Sequence, residues 1–207
     1  MLRDFLVVRQ RSVRQGLRDV SHGVAAVGAV VMVPLAVACG QVPGVESASP
    51  PSEVPSPIPV PADAAGPFPV LQVIDGDTVS ILKDSTQVKV RMLGLDTPET
   101  QDPRKSVQCF GTEAADRAKR VLVGKQVVVR PDPSQDSTDK YGRLLAYVWV
   151  DGALFNLNQI AQGFGHEYTY SHSHPYQYQR EFRAAARYAQ VHHLGLWNPA
   201  TCNGVTN

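Results

Sequence analysis

From residue 70 onward, apolar and polar residues alternate in short runs that end at glycine or at polar turn residues. Alternation of this kind is typical of β-strands that bury one face and expose the other. In the third run, Val88, Val90 and Met92 share one face while Lys89 and Arg91 share the other. The pattern predicts five strands, at residues 70–74, 78–82, 88–92, 126–130 and 143–150.

Three other stretches repeat apolar residues every three or four positions, which is the pattern of an amphipathic helix. They predict helices at about residues 111–123, 153–162 and 178–193, each followed closely by a glycine. One predicted helix lies between the third and fourth strands, and two follow the fifth strand. This order predicts a mainly β domain with α-helices. A small closed antiparallel barrel, the five-stranded Greek-key OB-fold barrel with three helices, is the simplest architecture that fits.

The first 39 residues combine a basic segment with a short apolar run. Five arginines precede the uncharged stretch Gly23–Ala38, which is shorter than a comfortable membrane span, and Cys39 follows it directly. The pattern predicts a secretory signal. Leu35–Cys39 also resembles a bacterial lipoprotein signal, in which the cysteine becomes the lipidated first residue of the mature chain. Simple secretion and an uncleaved signal anchor remain the alternatives.

Residues 40–69 are rich in proline and serine. A segment of this composition has little apolar surface to bury, so it stays extended rather than folding. The sequence therefore predicts a targeting segment at residues 1–39, a Pro/Ser-rich disordered tether at 40–69 and a folded domain at 70–207. We expect the folded domain to lie outside the cytoplasm, either secreted or held at a membrane by its lipid or signal anchor.

The charge of the chain is nearly balanced, with a formal net charge of +1 over 207 residues. Proteins that bind nucleic acids by bulk charge carry a strong excess of lysine and arginine, which this chain lacks. If the partner is a polyanion, a few converging arginines together with a metal ion must bind it locally.

The segment from Arg91 to Glu99 carries the candidate chemistry. Arg91 lies on the polar face of a strand, and Asp96 and Glu99 follow on either side of Pro98, which stops the strand and stiffens the turn. An arginine can bind a phosphate with two hydrogen bonds, and the two carboxylates can serve as a hard metal ligand and as a general base. This grouping suits phosphate chemistry.

Two further groups are ambiguous when considered alone. Asp77 shares strand parity with buried positions, and a buried carboxylate needs a cation or several hydrogen-bond donors, but Asp75-Gly76-Asp77 taken alone is more simply a turn. Arg143 enters a strand beside Gly142, where it could bind a ligand or simply lie at a solvated strand end. Neither group decides a function by itself.

Three segments in this order and spacing resemble the staphylococcal nuclease (thermonuclease) family. They are Ile74–Thr78, Arg91–Glu99 and Thr138–Tyr147, and the resemblance extends from about Val70 to Trp197. It implies an OB-fold barrel with three helices, in agreement with the pattern of strands and helices. It also implies a nuclease that uses one calcium ion to cleave phosphodiester bonds in DNA and RNA and leaves 3′-phosphate ends.

The resemblance also implies roles for individual residues. Two carboxylates and one backbone carbonyl would hold calcium, and such hard oxygen ligands leave room for a phosphate and a nucleophile. These metal ligands are Asp77, Asp96 and Thr97. The catalytic residues are Arg91, Glu99 and Arg143, and the residues in contact with a terminal phosphate are Lys140 and Tyr141. Tyr168 and Tyr170 would stack on the nucleotide, unless they are ordinary half-buried tyrosines.

Two cysteines remain in the predicted domain if Cys39 is lipidated or removed. In an oxidising compartment, Cys109 and Cys202 would then form a disulfide that ties the C-terminal tail to the segment before the first helix, although two free thiols are the alternative. We expect a monomeric enzyme that acts on DNA and RNA. A non-catalytic nucleic-acid-binding OB-fold module at the cell surface is the main alternative, and the presence of all the acidic and arginine residues of the site argues against it.

Overall fold

The computed structural model describes residues 53–101 and 106–207. The predicted targeting segment, the predicted lipidation site Cys39 and the first part of the predicted tether lie outside the described residues. Within the two described ranges, no helix is long and apolar enough to cross a membrane.

Eight strands and three α-helices are found in these ranges. The strands are β1 (Ala65–Asp75), β2 (Thr78–Lys83), β3 (Thr86–Met92), β4 (Leu95–Asp96), β5 (Gln126–Arg130), β6 (Leu144–Val150), β7 (Ala153–Leu154) and β8 (His166–Glu167). The helices are α1 (Gly111–Leu122), α2 (Phe155–Ala161) and α3 (Gln179–Val191), and a short 3₁₀ turn follows at Gly195–Trp197. α2 is shorter than predicted because Ala153 and Leu154 pair with β6 instead of joining the helix.

Five of the strands form a closed barrel. β1, β2 and β3 form an antiparallel meander, β5 pairs with the other edge of β1, and β6 pairs with β5. A parallel pairing between β3 and β6, in which Arg91 lies opposite Leu145, closes the ring. The predicted OB-fold barrel with three helices is therefore confirmed.

One pairing in the ring differs from the all-antiparallel barrel that the pattern predicted, because β3 and β6 run parallel. Strands that alternate in direction around a closed ring must be even in number, so a ring of five strands has to contain a parallel pair. This pairing places the end of β3, which carries Arg91, beside the start of β6, which Arg143 directly precedes.

The core fills the barrel and continues between the barrel and the helices. Val79, Ile81, Val90 and Met92 alternate along β2 and β3 and are at most 1% exposed. β6 is buried on both of its faces, since residues 146–149 are likewise at most 1% exposed. Its Tyr147 packs edge-on against Phe182 of α3, with ring centroids 6.1 Å apart. The end of the barrel that carries the polar residues is therefore supported by a tightly packed apolar core.

The folded domain begins earlier than the sequence predicted. β1 starts at Ala65 and pairs with β5. Further towards the N-terminus, the backbone carbonyl of Ile58 accepts a hydrogen bond from the indole N–H of Trp149 (3.0 Å). The predicted tether at residues 40–69 is therefore too long at its C-terminal end. The sequence pattern missed this part of β1 because of its proline content. Pro67 lies at a shift in the β1–β5 register, a position that tolerates a residue without an N–H group.

A disulfide joins Cys109, just before α1, to Cys202 in the C-terminal tail. The two Cα atoms are 5.9 Å apart, within the range that a disulfide requires, although the cysteines are separated by 93 residues in the sequence. A link across such a long loop restricts the unfolded chain. In the folded chain it holds the tail against the segment that leads into α1.

Asp132 anchors the loop between β5 and β6. It is 2% exposed, and its carboxylate accepts hydrogen bonds from the hydroxyl of Tyr147 (2.6 Å) and from the backbone N–H of Gln177 (2.6 Å). The hydroxyl and the N–H of Ser134 are two further donors (2.7 and 2.9 Å). Burial alone would raise the pKa of Asp132, but these donors hold it below its ordinary value.

Replacing Asp132 by asparagine is expected to lower the free energy of unfolding by about 3 kcal/mol at neutral pH, since buried hydrogen bonds to a charge are lost. The pKa of Asp132 is lower in the folded than in the unfolded chain, so its stabilisation is complete above about pH 5 and is lost as the pH falls through the folded-state pKa. Urea unfolding between pH 3 and pH 7 measures this dependence.

In those titrations, the stability difference between wild type and Asp132→Asn should shrink below about pH 4. Asp136→Asn, at an exposed position of the same loop, is the matched control and should have little effect at any of these pH values. A stability difference for Asp132→Asn that does not depend on pH would contradict the role of the charged carboxylate.

Candidate active site

Loops at one end of the barrel surround a cleft with a volume of about 480 Å³. The cleft is formed by the β1–β2 turn, the end of β3, β4 with the loop that follows it, and the approach to β6. Among the residues that line it are six that the sequence predicted for the site: Asp77, Arg91, Asp96, Thr97, Glu99 and Arg143. The structure therefore brings the predicted metal-ligand and catalytic positions into one place.

Asp77 is a buried carboxylate, 6% exposed, in the β1–β2 turn. Its Oδ2 accepts hydrogen bonds from the backbone N–H of Thr97 (2.9 Å) and from the Thr97 hydroxyl (3.1 Å). Its Oδ1 accepts one from the hydroxyl of Thr78 (2.8 Å). Gly76 permits this close approach, because a Cβ at that position would lie 2.8 Å from the Thr97 side chain.

Arg91 lies between two carboxylates. Its Nη1 is 3.0 Å from Oδ2 of Asp77, and its Nη2 is 2.7 Å from Oδ1 of Asp96. The guanidinium group also donates a hydrogen bond to the carbonyl of Leu95, so it ties the end of β3 to β4. The Arg91 side chain is 15% exposed, and a charge that is so well shielded from water needs such partners. The side chain of Asp96 is half exposed.

Burial and neighbouring negative charges raise the pKa values of two acidic groups of the cleft, Asp75 and Asp96. Burial raises the pKa of Asp96, Arg91 opposes this effect, and the negative charges of Asp77 and Glu99 raise it further. Burial, together with repulsion from Asp77 and Glu99, raises the pKa of Asp75 to about 6, although hydrogen bonds from Gly76 and Thr100 work in the other direction. The cleft therefore holds crowded carboxylates whose repulsion a cation would relieve.

Glu99 is fixed through its backbone and through its carboxylate. Its N–H donates a hydrogen bond to the side-chain Oε1 of Gln108 (2.7 Å), and its carbonyl accepts one from the backbone N–H of the same residue (3.0 Å). Its Oε1 accepts a hydrogen bond from the backbone N–H of Gln101 (2.6 Å). Glu99 therefore holds a defined position in a loop that has no β-ladder of its own.

Arg143 is oriented by Asp139. The Nε of Arg143 is 2.7 Å from Oδ2 of Asp139, and the backbone N–H of Arg143 donates a hydrogen bond to Oδ1 (2.9 Å). Burial alone would raise the pKa of Asp139, but the donors from Arg143 hold it below its ordinary value. Arg143 is paired with Asp139 in this way and is also one of the residues that line the cleft.

The predicted substrate-contacting residues lie outside the cleft, since none of the four is among the described residues that line it. Tyr141 is 72% exposed, and its ring centroid is 5.1 Å from Nζ of Lys140 and 5.5 Å from the guanidinium carbon of Arg143. Tyr168 is 47% exposed and its N–H donates a hydrogen bond to the carbonyl of Gly94 (3.0 Å). Tyr170 is 84% exposed. Tyr170 is therefore much more exposed than a half-buried tyrosine, whereas Tyr168 is about half buried.

Comparison with known proteins identifies the family to which this site belongs. Residues 89–199, more than half of the chain, match the sequence profile of the family described as staphylococcal nuclease homologue. The chain belongs to the staphylococcal nuclease family. The matched segment contains Arg91, Asp96, Thr97, Glu99 and Arg143.

Curated relatives match over part of their length. The chain is 44% identical over 96 residues to a thermonuclease from Staphylococcus hyicus, covering 46% of this chain and 56% of that protein. It is 43% identical over 94 residues to a thermonuclease from Staphylococcus intermedius, covering 45% and 55%. It is 34% identical over 127 residues to endonuclease YncB from Bacillus subtilis strain 168, covering 61% and 59%. The chain thus spans a little over half the length of these relatives.

Several residues of this staphylococcal nuclease family member line the cleft without having been assigned a role from the sequence. Lys89 shares a strand face with Arg91, which was a signal for its position. Asp75 accepts a hydrogen bond from the hydroxyl of Thr100 (3.0 Å). Gln108 gave no sequence signal, because its approach to Glu99 depends on the path of the intervening loop. The other lining residues are Ile74, Thr78 and Gln101.

The oxygen ligands that the family resemblance implies fit a calcium ion. No group of three or more His, Cys, Asp or Glu side chains suited to a metal occurs in residues 53–101 and 106–207. The implied site instead uses the carboxylates of Asp77 and Asp96 and the carbonyl of Thr97. All three are hard oxygen donors, which calcium prefers. The carboxylates in the cleft repel one another, and a divalent cation would reduce this repulsion.

Replacing Arg91 by methionine is expected to raise the pKa of Asp96, because the guanidinium group that opposes burial and carboxylate repulsion is lost. The titration of the Asp96 carboxyl carbon, followed by ¹³C NMR in the chelator-treated protein, measures this change. Lys83→Met removes a lysine paired with Asp84 in the exposed β2–β3 turn and is the matched control. An Asp96 titration that is the same in Arg91→Met and Lys83→Met would contradict the proposed electrostatic role of Arg91.

Proposed function

We propose that this protein is a calcium-dependent nuclease that hydrolyses phosphodiester bonds in DNA and RNA and leaves 3′-phosphate ends. The observation that carries the proposal is the convergence on one cleft of Asp77 and Asp96 around Arg91, with Glu99 and Arg143 at the same cleft. The names of the relatives, thermonuclease and endonuclease, support the same activity.

Asp77, Asp96 and the carbonyl of Thr97 would hold the metal ion. Calcium, when bound, would offset the negative charge of the phosphodiester and of its transition state. Asp77 is fixed by hydrogen bonds from Thr97 and Thr78, so it presents its oxygens without a large rearrangement. Asp96 is half exposed and can turn towards a ligand from the rim of the cleft.

Glu99 would act as the general base that orients and deprotonates the attacking water. Its backbone is held from both sides by Gln108, which fixes the point from which its carboxylate reaches into the cleft. Proton transfer by a well-placed carboxylate typically contributes a factor of about 10²–10⁴ in rate. A 3′-phosphate product requires that the bond between phosphorus and the 5′-oxygen is broken.

Arg91 and Arg143 would bind the phosphoryl oxygens as negative charge develops on them. Arg91 lies in β3 and Arg143 directly precedes β6, and both line the same cleft, so they could bind one phosphate together. Carboxylates hold both arginines in the structure. Arg91 contacts Asp77 and Asp96, and Arg143 contacts Asp139. Such preorganised donors are worth a few kcal/mol of barrier each, because they need little reorganisation during the reaction.

Exposed aromatic side chains beside Arg143 and in the segment after β8 support contact with a flexible nucleic acid. Lys140 and Tyr141 would contact a terminal phosphate, and the contact of Tyr141 with Lys140 and Arg143 supports this role. Tyr168 and Tyr170 expose their rings, which can stack on bases of any sequence. Stacking of this kind would suit both DNA and RNA, since every base offers a π-face.

We also propose an extracytoplasmic location, with Cys39 as a lipid anchor or the signal as a peptide anchor, and a monomeric state. The basic and apolar segments at the N-terminus support export, and the Cys109–Cys202 disulfide is typical of an oxidising compartment.

Replacing Glu99 by glutamine is expected to lower the rate of cleavage by about 10²–10⁴, because the general base is lost while the shape of the side chain is retained. The assay follows plasmid DNA and a defined RNA with calcium and with excess chelator, and mass spectrometry identifies the product ends. Glu113→Gln, on the exposed side of the first turn of α1, is the matched control and should keep full activity.

Calorimetric titration with calcium separates loss of the base from loss of the metal. Glu99→Gln should still bind calcium, whereas Asp77→Asn and Asp96→Asn should bind it much more weakly. Binding of nucleic acid without chelator-sensitive cleavage in the wild type would contradict the nuclease proposal and favour a non-catalytic binding module.

The mature N-terminus tests the proposed location. After expression of the full chain in a bacterial host, we expect the protein in the membrane fraction, with a first residue at Cys39 that carries lipid by mass spectrometry. An unmodified chain in the medium would indicate that the protein is secreted and carries no lipid anchor. Full-length chain in the cytoplasmic fraction would contradict export.

A further inference from the structure

Gln108 contacts Glu99 in two ways. The Oε1 of its side chain accepts a hydrogen bond from the N–H of Glu99 (2.7 Å), and its own N–H donates one to the carbonyl of Glu99 (3.0 Å). The two residues are nine positions apart and lie in a loop rather than in a β-ladder. The path of the backbone at Glu99 therefore depends directly on where Gln108 is held.

Gln108 is in turn held by the C-terminal tail. The other end of its side-chain amide, Nε2, donates a hydrogen bond to Oδ1 of Asn207 (3.2 Å). The N–H of the next residue, Cys109, donates one to the carbonyl of Thr206 (3.1 Å), and its sulfur is bonded to Cys202. The two ends of the Gln108 amide thus contact different parts of the chain, one at Glu99 and one in the tail.

The tail is attached to the hydrophobic core. The N–H of Gly204 donates a hydrogen bond to the carbonyl of Leu196 (2.8 Å), and Leu196 is fully buried. Gly204 also lies directly against the indole of Trp197, since a Cβ at that position would be 2.7 Å from the ring. A continuous set of contacts therefore runs from the core through the tail and the disulfide to Gln108 and then to Glu99.

We propose that Gln108 is a positioning residue for Glu99 and that the disulfide-anchored C-terminal tail keeps Gln108 in place. This inference rests on the proposed nuclease function, in which Glu99 is the general base. A glutamine side chain has several rotatable bonds, so it can fix a neighbour only if its far end is also held. Asn207 holds that far end directly, and the disulfide keeps the segment that carries Asn207 close to Cys109.

Positioning of Glu99 and simple stabilisation of the fold have different effects on the kinetics. A disulfide that only stabilised the fold would change the free energy of unfolding and leave the turnover of the folded enzyme unaltered. A tail that positions Glu99 through Gln108 affects turnover in the folded state, because a small displacement of a catalytic group has a large effect on rate. Substrate affinity should change little, since Gln108 acts on the base rather than on the phosphate-binding arginines.

The first experiment compares steady-state kinetics of Gln108→Ala and Gln108→Glu. The alanine variant should lose roughly 10- to 100-fold in kcat with KM nearly unchanged. The glutamate variant retains an acceptor for the N–H of Glu99 but loses the donor to Asn207, so it should recover only part of that loss. Gln190→Ala, at an exposed position of α3, is the matched control and should behave like wild type. An unchanged kcat in Gln108→Ala would overturn the proposal.

The second experiment opens the disulfide, whose Cys109 end is exposed. A dithiol such as dithiothreitol transfers two electrons and two protons to the bond, leaves thiols on Cys109 and Cys202, and is itself oxidised to a cyclic disulfide. We expect kcat to fall roughly tenfold in the wild type, at temperatures where circular dichroism shows the fold intact. Asn207→Ala, which leaves the disulfide in place, should give a smaller loss in the same direction.

The combination of the two changes is decisive. If the tail acts through Gln108, reduction should cause no further loss of kcat in Gln108→Ala, because the contact that it weakens is already gone. Equal losses on reduction in the wild type and in Gln108→Ala would overturn the proposal. So would a Cys109→Ser/Cys202→Ser variant that is folded and keeps the wild-type kcat.

Amide hydrogen exchange gives a readout that does not depend on activity. Reduction should speed exchange of the Glu99 and Gln108 amides at least tenfold, while that of Val148 in the barrel stays unchanged. If the wild type does not cleave nucleic acid, the nuclease proposal fails, but this measurement still reports whether the tail holds Glu99. Unchanged exchange at both amides would overturn the positioning proposal alone.

Discussion

The candidate site depends on one guanidinium group that lies between two carboxylates. Asp77 comes from the β1–β2 turn and Asp96 from β4, and Arg91 at the end of β3 contacts both of them. Asp77 and Arg91 are largely shielded from water, so neither charge could be placed there without the other. This pairing fixes how β4 leaves the barrel and hence where the following loop, with Thr97 and Glu99, begins.

The same pairing does not neutralise the site. Asp75 and Glu99 add two further carboxylates, and burial with mutual repulsion raises the pKa of Asp75 to about 6. An arrangement selected for stability alone would avoid this crowding, because like charges in a shielded cleft disfavour the folded state. Local conflicts of this kind are expected where a fold carries function, and a rigid barrel can support them.

Features that depend on local sequence patterns were mostly predicted correctly, whereas most features that depend on contacts between distant parts of the chain were missed. Strand parity placed Arg91 on the polar face of β3, and the motifs around Asp77, Glu99 and Arg143 located the site. The start of β1 was missed because proline-rich composition resembles a tether even where Pro67 lies at a register shift. The parallel β3–β6 pair follows from closing five strands into a ring, which no local pattern expresses.

The missed contact of Gln108 has a different origin. Asp77 and Arg91 lie on or beside strands, where a regular ladder sets the direction of each side chain, so alternation in the sequence is informative. Glu99 lies in a loop, where position depends on individual hydrogen bonds from residues that are distant in sequence. Its partner Gln108 is held by Asn207, which is 99 residues away in the sequence. A loop residue such as Glu99 therefore needs contacts from elsewhere in the fold, and here the C-terminal tail provides them through Gln108.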